Sequence, residues 1–528
     1  MRLDYLRDGP WRSPFRIKYL ASTIIICTLA AIFCVSDASG IRQDNSDDPR
    51  QLLKQAEKLI RKGSLAEAEK VLLGAVAAAP ENSTAKLRLA FVYLKQRRLR
   101  DAYDLSFTIA KAEPKNSHAF AVLGSALLSA GRFHEARAVF YNSIKLNKKE
   151  ALAWAGFGLL DFYENRINES LENLQEAVFY DSSQPDYFFA LAQVSARSEK
   201  YTEAAEAYYR FLSISRDTDG ERRARIKSLI NFLRFLGHKQ VLYATRQEGE
   251  TAVRFTLTGN RPVIEVRINR RDEIFNFVLD TGSGISVISD KTAKKLNINP
   301  IAKGGFATGI GGNGKFEIVY GFLRQMDIGD VEIRNVPVYI RKFHSAGDDI
   351  DGYIGLSLIS KFLTTIDYGN LIFTLSSKKT NGGTLASDQG VLLPLRLTSS
   401  GFLSGEVVLE GVEAPLNFIV DTGASVSVIS DEVAKMQSIS GFVRSEKMRV
   451  IGAAGVTDNV PLYLLPRVSF GTHSRKSITA IALDLDLINE ASGFVQAGIL
   501  GGNFLRNYRV TFDFKNSKVV FVPINLEQ

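Results

Sequence analysis

Small side chains recur every 34 residues between positions 49 and 218, and this interval constrains the fold more than any other feature of the sequence. Two antiparallel helices pack closely only where small side chains face each other, and a bulky apolar side chain then fills the gap to the next pair. The interval therefore predicts a stack of helix pairs. One register of small residues is Ala56, Ala90, Gly124, Gly158 and Ala192, a second is Ala68, Ala102, Ala136, Ser170 and Ala204, and the large apolar position is held by Leu72, Phe140, Leu174 and Tyr208.

The pattern resembles the tetratricopeptide repeat, most clearly in residues 131–136 and 153–158. We count five units, followed by a capping helix from Glu221 to Leu236 that ends at Gly237. The resemblance implies an all-α repeat solenoid over residues 49–240. Such arrays usually bind peptide segments in a concave groove, although a spacer or self-assembly role fits the sequence about as well.

A second internal repeat follows, with a different periodicity. From about Thr251 the chain changes to short alternating runs broken by Gly, Asn and Asp, which is typical of β-strands. Residues 276–290 (NFVLDTGSGISVISD) match residues 417–431 (NFIVDTGASVSVISD) at an offset of 141, and 353–356 (YIGL) match 499–502 (ILGG) at an offset of 146. Residues 252–525 therefore contain two copies of one β unit.

Each copy carries an Asp at the end of an apolar strand, Asp280 in the first and Asp421 in the second. A carboxylate in that context is costly unless it is hydrogen-bonded or performs chemistry. Two such residues in pseudo-symmetric copies can meet on a two-fold axis, where two adjacent carboxyls share one proton. One carboxyl then deprotonates a water molecule while the other protonates a peptide carbonyl.

The scarcity of other catalytic side chains supports this chemistry. Both cysteines, Cys27 and Cys34, precede the repeats, which excludes disulfides, thiolate metal sites and a Cys nucleophile from the rest of the chain. The five His are scattered and form no H-E-x-x-H motif, so a zinc hydrolase is disfavoured. We therefore expect neither a metal nor a cofactor.

The two Asp-Thr-Gly segments, each followed by a hydrophobic-hydrophobic-Gly element, resemble the retropepsin-like aspartic peptidases, which include pepsin and retroviral proteases. This resemblance implies an all-β bilobal domain in which Asp280 and Asp421 are the catalytic dyad. It implies that Thr281 and Thr422 brace the dyad by cross-lobe hydrogen bonds and that Gly282 and Gly423 allow close backbone approach. It also implies that Gly355 and Gly501 lie in the strand that crosses behind each loop.

Glycine-rich stretches between these elements predict two flaps, which are flexible hairpins over the dyad. The first includes Gly309, Gly311 and Gly312, and the second includes Gly452 and Gly455. The first stretch also nearly matches two phosphate-binding motifs. Its Lys is not followed by Ser or Thr and the downstream period is that of a strand, so we do not interpret it as a phosphate site.

The copies differ directly after the Asp-Thr-Gly, where Ser283 in the first corresponds to Ala424 in the second. A Ser hydroxyl that donates to the Asp280 carboxylate favours its ionised form. We therefore hypothesise that Asp280 is the more acidic member of the dyad. Neither candidate flap tip contains Tyr, unlike the pepsin pattern, so the sites are more similar to the retroviral or bacterial kind.

The first 40 residues predict export. Residues 1–18 carry a net charge of +3, residues 19–35 are uncharged and mostly apolar, and small residues follow. This order is typical of a signal peptide, and an uncleaved membrane anchor stays an alternative because the apolar run of 17 residues is at the lower limit for a span. The whole chain has a formal net charge of +9, so subtracting the +3 of residues 1–18 leaves +6 for the rest of the chain. That charge is too widely spread along the sequence to indicate nucleic-acid binding.

These features predict an exported, periplasmic or secreted aspartic endopeptidase with a repeat array that binds a protein or peptide partner or substrate. The expected segments are a signal or anchor (1–40), the array (49–240), a first lobe (251–378), a linker (379–390) and a second lobe (391–526). We expect the two lobes to pair within one chain, although pairing between chains stays open. The alternative is a non-catalytic peptide-binding scaffold with a vestigial protease-like domain.

Overall fold

The computed structural model describes residues 48–215, 219–239, 241–246, 249–344, 349–377, 391–394 and 396–524. The predicted signal or anchor (1–40) and the predicted linker (379–390) lie outside these residues. Within the described ranges, no helix combines the length and the apolar character needed to cross a membrane.

The described part of the first half forms eleven helices, which confirms the predicted helical array. Helices α1–α10 make five antiparallel pairs, and α11 follows them. It is longer than the predicted capping helix by one residue at its start and ends at Gly237 itself. The helices are α1 (Pro49–Lys62), α2 (Leu65–Ala78), α3 (Ser83–Lys95), α4 (Leu99–Ala112), α5 (Ser117–Ser129), α6 (Phe133–Leu146), α7 (Ala151–Tyr163), α8 (Ile167–Tyr180), α9 (Pro185–Arg197), α10 (Tyr201–Ile214) and α11 (Gly220–Gly237).

The two registers of small residues lie on opposite members of each pair, the first on the odd-numbered and the second on the even-numbered helices. All of them are buried. A Cβ added at Gly124 would lie 2.6 Å from the Phe140 ring, and one added at Gly158 would lie 2.5 Å from Leu174 Cγ. The small residues therefore make room for the large apolar residues of the same repeat, as the interval predicts.

The first β copy begins slightly before the expected lobe boundary, because a short strand at 244–245 already pairs with it. Its elements are β1 (Ala244–Thr245), β2 (Glu250–Arg254), β3 (Thr256–Thr258), β4 (Arg261–Ile268), β5 (Ile274–Leu279), β6 (Ser286–Ser289), α12 (Asp290–Lys295), β7 (Ala302–Thr308), β8 (Lys315–Ile328), β9 (Val331–Arg341), β10 (Gly352–Ile354), α13 (Leu356–Ile359), β11 (Leu363–Asp367) and β12 (Ile372–Ser376).

The second copy repeats this order. Its elements are β13 (Val391–Pro394), β14 (Arg396–Leu397), β15 (Leu403–Leu409), β16 (Leu416–Val420), β17 (Ser427–Ser430), α14 (Asp431–Ala434), α15 (Gln437–Ser440), β18 (Val443–Gly452), β19 (Gly455–Phe470), β20 (His473–Leu483), α16 (Asp486–Ser492), β21 (Gly498–Leu500), α17 (Gly502–Leu505), β22 (Tyr508–Asp513) and β23 (Lys518–Pro523).

Three sheets organise the β half. One nine-stranded sheet belongs to the first copy, and one eight-stranded sheet belongs to the second. A six-stranded sheet in the order β13-β23-β22-β11-β12-β2 takes strands from both, with β11 and β22 antiparallel at the junction. The two copies therefore pair within one chain in an all-β bilobal domain, which confirms the predicted fold class.

The helical array packs directly on this β domain at two places. Phe494, from the segment before β21, is fully buried among residues of the array, with ring centroids 4.9 Å from Phe133 and 5.1 Å from Tyr163. At the other end of the array, Phe232 of α11 stacks on Tyr320 of β8 with centroids 4.3 Å apart. These contacts fix the array against both copies.

Candidate functional site

Asp280 and Asp421 each follow a buried strand, β5 in the first copy and β16 in the second. The Asp280 backbone N–H donates to Ile354 O, and the Asp421 N–H donates to Leu500 O, both at 3.0 Å. Each acceptor is the last residue of the strand that runs parallel to the Asp-bearing strand. Both copies therefore hold their Asp by the same backbone interaction.

Thr281 and Thr422 are fully buried and connect the two copies. The Thr281 hydroxyl donates to Val420 O at 2.7 Å and accepts from the Thr422 N–H at 3.0 Å. The Thr422 hydroxyl donates to Leu279 O at 2.7 Å and accepts from the Thr281 N–H at 3.1 Å. Four hydrogen bonds thus join the lobes next to the two Asp residues.

Thr422→Val is expected to destabilise the β domain by about 2–6 kcal/mol, since it leaves two buried backbone groups unsatisfied at roughly 1–3 kcal/mol each. The lost partners are the Leu279 carbonyl and the Thr281 N–H. Chemical unfolding followed by circular dichroism measures the change. Thr422→Ser keeps the hydroxyl and is the matched control, so equal stability of the Val and Ser variants would contradict the role of this network.

The carboxyls of Asp280 and Asp421 are half-buried, and each lies beside the Gly of the opposite Asp-Thr-Gly segment. Burial is the main cause that raises the pKa of both, and the charge of Asp421 raises the pKa of Asp280 further, to well above 3.8. The Gly282 N–H donates to Asp280 Oδ1 at 2.9 Å, and the Gly423 N–H donates to Asp421 Oδ1 at 2.8 Å. The pair therefore retains a proton at pH values where an ordinary Asp is ionised.

Ser283 does not have the predicted contact with the dyad. Its hydroxyl donates to Ile285 O at 2.7 Å and not to Asp280, because the turn folds the side chain back on its own loop. The contact on which the hypothesis of a more acidic Asp280 depended is therefore absent, since the Ser283 hydroxyl is used within its own turn. The matching Ala424 packs against an apolar cluster of the second copy.

Gly282 and Gly423 each lie against the carboxyl of the opposite copy. A Cβ added at Gly423 would lie 2.6 Å from Asp280 Cγ, and one added at Gly282 would clash with the Asp421 carboxyl. The close backbone approach implied by the family resemblance is thus an interaction between copies, and any larger residue must displace a carboxyl.

Gly423→Ala is expected to displace the Asp280 carboxyl, and in the peptidase that the sequence predicts, a displacement of about 1 Å in a catalytic group reduces activity by about 100-fold. Steady-state cleavage of a peptide measures the loss. Gly74→Ala is the matched control, since nothing lies within 4 Å of the added Cβ on helix α2. Full activity in Gly423→Ala would show that the geometry of the carboxyl pair does not limit the reaction.

Gly355 and Gly501 were predicted to lie inside the crossing strands, and this prediction is wrong. Both residues lie directly after those strands, where each precedes a short helix. A Cβ at Gly355 would lie 2.8 Å from Ile285 O, so the chain needs Gly where it leaves the strand. The Gly355 and Gly501 N–H groups donate to Ser286 Oγ and Ser427 Oγ, both at 3.1 Å. The sequence analysis assigned no role to Ser286 or Ser427, although the presence of Ser at this matched position in both copies was a sign that the two residues do the same thing.

The two predicted flaps are hairpins whose tips meet. Gly309, Gly311 and Gly312 lie in the turn between β7 and β8, while Gly452 ends β18 and Gly455 begins β19. Gly311 and Gly312 have φ values of +91° and +56°, which favour glycine. The Ala454 N–H donates to Ile310 O at 2.9 Å, joining the two tips.

The flaps differ in what lies outside them. Helix α11 covers the first flap, where Lys315 Nζ lies 3.0 Å from Glu221 Oε1. The outer strand of the second flap, β18, is mostly exposed. The array therefore holds one flap and leaves the other free on its outer face.

Arg341, the last residue of β9, is a further charged residue near the dyad that sequence reasoning missed. Its Nη1 donates to Ala453 O at the tip of the second flap, at 3.2 Å, and its charge lowers the pKa of Asp280 against the larger effect of burial. No motif surrounds this residue, so only the fold reveals its position.

Comparison with known families confirms both resemblances. A model described as aspartyl protease matches residues 264–358 and 405–504. Two models described as tetratricopeptide repeat match residues 59–126 and 156–219. No curated protein matches the chain.

Similar solved structures are repeat proteins. A thermophilic tetratricopeptide repeat protein of Thermus thermophilus is 20% identical, with a TM-score of 0.31, over 35% of this chain and 99% of that chain. PilF of Pseudomonas aeruginosa is 15% identical, with a TM-score of 0.27, over 36% and 86%. YrrB, described as having an unusual peptide-binding site, is 21% identical, with a TM-score of 0.21, over 33% and 89%.

Proposed function

We propose that this chain, a fusion of tetratricopeptide repeats to an aspartyl protease-like domain, is an exported aspartic endopeptidase whose dyad is Asp280 and Asp421. The observation that carries the proposal is the placement of two half-buried carboxyls at the junction of the copies, each beside the Gly of the opposite Asp-Thr-Gly segment. Such a pair supplies one acid and one base without a metal or a cofactor.

In the proposed reaction, the oxygen of a water molecule bonds to the carbonyl carbon of the peptide while one of its protons passes to the ionised carboxyl. The protonated carboxyl gives its proton to the carbonyl oxygen. The C–N bond of the resulting tetrahedral intermediate then breaks as the carboxyl that took the proton from water gives it to the leaving nitrogen. The other carboxylate takes a proton from a hydroxyl of the intermediate as the carboxylic acid product forms, which restores the starting state of the pair. The two flap tips, which are joined by the hydrogen bond from Ala454 N–H to Ile310 O, are proposed to cover the peptide and exclude water.

The repeat array is proposed to bind the substrate polypeptide or a protein partner. A cavity of about 1810 Å³ lies between the array and the β domain, lined by Phe189 and Arg222 of the array, Leu487 of the second copy, and Phe306 and Lys315 of the first flap. Small-molecule pockets are usually about 300–1,000 Å³, so this space suits a polypeptide segment better. A segment bound there would lie against the outer side of the first flap.

Export is proposed from the order of residues 1–40, in which a basic start precedes an apolar run and small residues. Mass spectrometry of the native N-terminus distinguishes a cleaved signal from a retained anchor.

The test of the proposed function is cleavage of an unfolded protein by the purified chain between about pH 3 and pH 8. Inhibition by a peptide analogue is measured in parallel, with the scissile amide replaced by a hydroxyl-bearing tetrahedral carbon that mimics the intermediate. We expect cleavage, and inhibition stronger than that by the parent peptide. Absence of cleavage throughout this range would favour a non-catalytic scaffold.

A further inference from the structure

The two copies differ in charge at one pair of equivalent positions. Arg341 pairs in register with Ser289 of β6 in the first copy, and Leu483 pairs with Ser430 of β17 in the second. Ser289 and Ser430 are themselves equivalent, at the offset of 141 that relates the Asp-Thr-Gly segments. A cation therefore stands in the first copy where the second has an aliphatic side chain.

Aromatic rings surround the Arg341 guanidinium. It lies 4.8 Å from the ring centroid of Phe343, 5.5 Å from that of Tyr353 and 5.6 Å from that of Phe316. Phe316 belongs to the first flap, and the flap tip residue Ala453 belongs to the second. Arg341 thus lies between both flaps and the strand that supports Asp280.

The matched pocket of the second copy is apolar. Leu485 and Ile499 occupy the positions equivalent to Phe343 and Tyr353, and both are buried in a cluster that Leu483 packs against. Ile310, from the tip of the first flap, joins this cluster. Each flap tip therefore contacts the opposite copy. The tip of the second flap contacts the Arg341 cation of the first copy, and the tip of the first flap contacts aliphatic side chains of the second copy.

The Arg341 guanidinium retains hydrogen-bonding capacity. Its Nη1 donates to Ala453 O, whereas its buried Nε has no hydrogen-bond partner among the described residues. A guanidinium offers two parallel N–H donors to a planar carboxylate, and desolvation strengthens that interaction. A backbone carbonyl uses only one of these donors.

We infer that Arg341 forms a substrate subsite for an acidic side chain, Asp or Glu, while Leu483 and its neighbours form the matching subsite for an aliphatic side chain across the scissile bond. This inference rests on the proposed function, whose dyad the two subsites flank. A pseudo-symmetric pair of carboxyls then acts on an asymmetric substrate, with the acidic residue on the side of the first copy.

The test measures binding separately from cleavage, in an Asp421→Asn background. Labelled peptides rich in Leu and Ala carry one Glu at each position in turn, and a second set carries Gln instead. We expect one Glu position to bind at least about 10-fold tighter than its Gln counterpart, as measured by fluorescence anisotropy. Arg341→Gln should abolish this difference, and Lys342→Gln, which removes an exposed neighbouring cation, should preserve it.

Equal binding of all Glu and Gln pairs would overturn the subsite, as would a preference that survives Arg341→Gln or is lost in Lys342→Gln. The two proposals fail separately. Cleavage by the wild type without any Glu preference leaves the peptidase standing and removes the subsite. Selective binding that depends on Arg341, in a chain that cleaves nothing, supports the subsite and removes the peptidase.

Discussion

Asp280→Asn and Asp421→Asn are each expected to reduce peptidase activity by about 10⁴-fold, the upper range for the loss of a general acid or base. Asn keeps the size of the side chain and can hydrogen-bond to the opposite carboxyl, but it can neither take a proton from water nor return one. In the proposed mechanism the two carboxyls act as one unit that shares a proton, so each single substitution should remove nearly the whole effect. Cleavage of a fixed peptide by each purified variant measures the loss.

The matched control for both substitutions is Asp330→Asn, which makes the same change at an exposed Asp in the turn between β8 and β9. It should retain wild-type activity. Folding of the dyad variants is checked by circular dichroism, so that inactivity cannot be ascribed to unfolding. Cleavage that survives in both dyad variants would remove the two-carboxyl mechanism.

The repeats were predictable because each depends on spacing along the chain. The 34-residue interval places Gly124 against Phe140 within one repeat unit, a contact that the sequence pattern itself encodes. The duplicated Asp-Thr-Gly segments likewise indicate two matching lobes, since each lobe repeats one pattern of strands. Local periodicity and internal duplication are the two signals that a single sequence carries most strongly.

The contacts between the halves were not predictable, since they join segments that share no pattern. Phe494 lies in a loop of the second copy, and nothing near it in sequence indicates that it packs between Phe133 and Tyr163 of the array. The same reason explains Arg341, whose importance depends on a flap tip more than 100 residues later in the chain. Ser283 is the opposite case, because the sequence predicted a contact that the fold does not make. Its hydroxyl was expected to donate to Asp280 and instead donates to Ile285 O within its own turn.

The contribution of the Asp280–Asp421 pair to the stability of the β domain is expected to fall as the pH rises above the ordinary Asp pKa of 3.8, because the folded pair retains a proton that the unfolded chain releases. Where the native state binds more protons than the unfolded state, the free energy of unfolding decreases with pH. For one proton the slope is up to about 1.4 kcal/mol per pH unit. This stabilisation is complete below pH 3.8 and is lost progressively until the raised pKa of the pair is passed.

The double variant Asp280→Asn/Asp421→Asn isolates this contribution, because neither Asn titrates, whereas in a single variant burial still raises the pKa of the remaining Asp. Urea unfolding of the wild type and the variant at several pH values between about 4 and 7 gives the difference in free energy, in which the other titrating groups cancel. We expect the wild type to lose stability relative to the double variant as the pH rises. A difference between the wild type and the double variant that does not change with pH would mean that the folded pair binds no extra proton, and the shared-proton mechanism would then lack its acid.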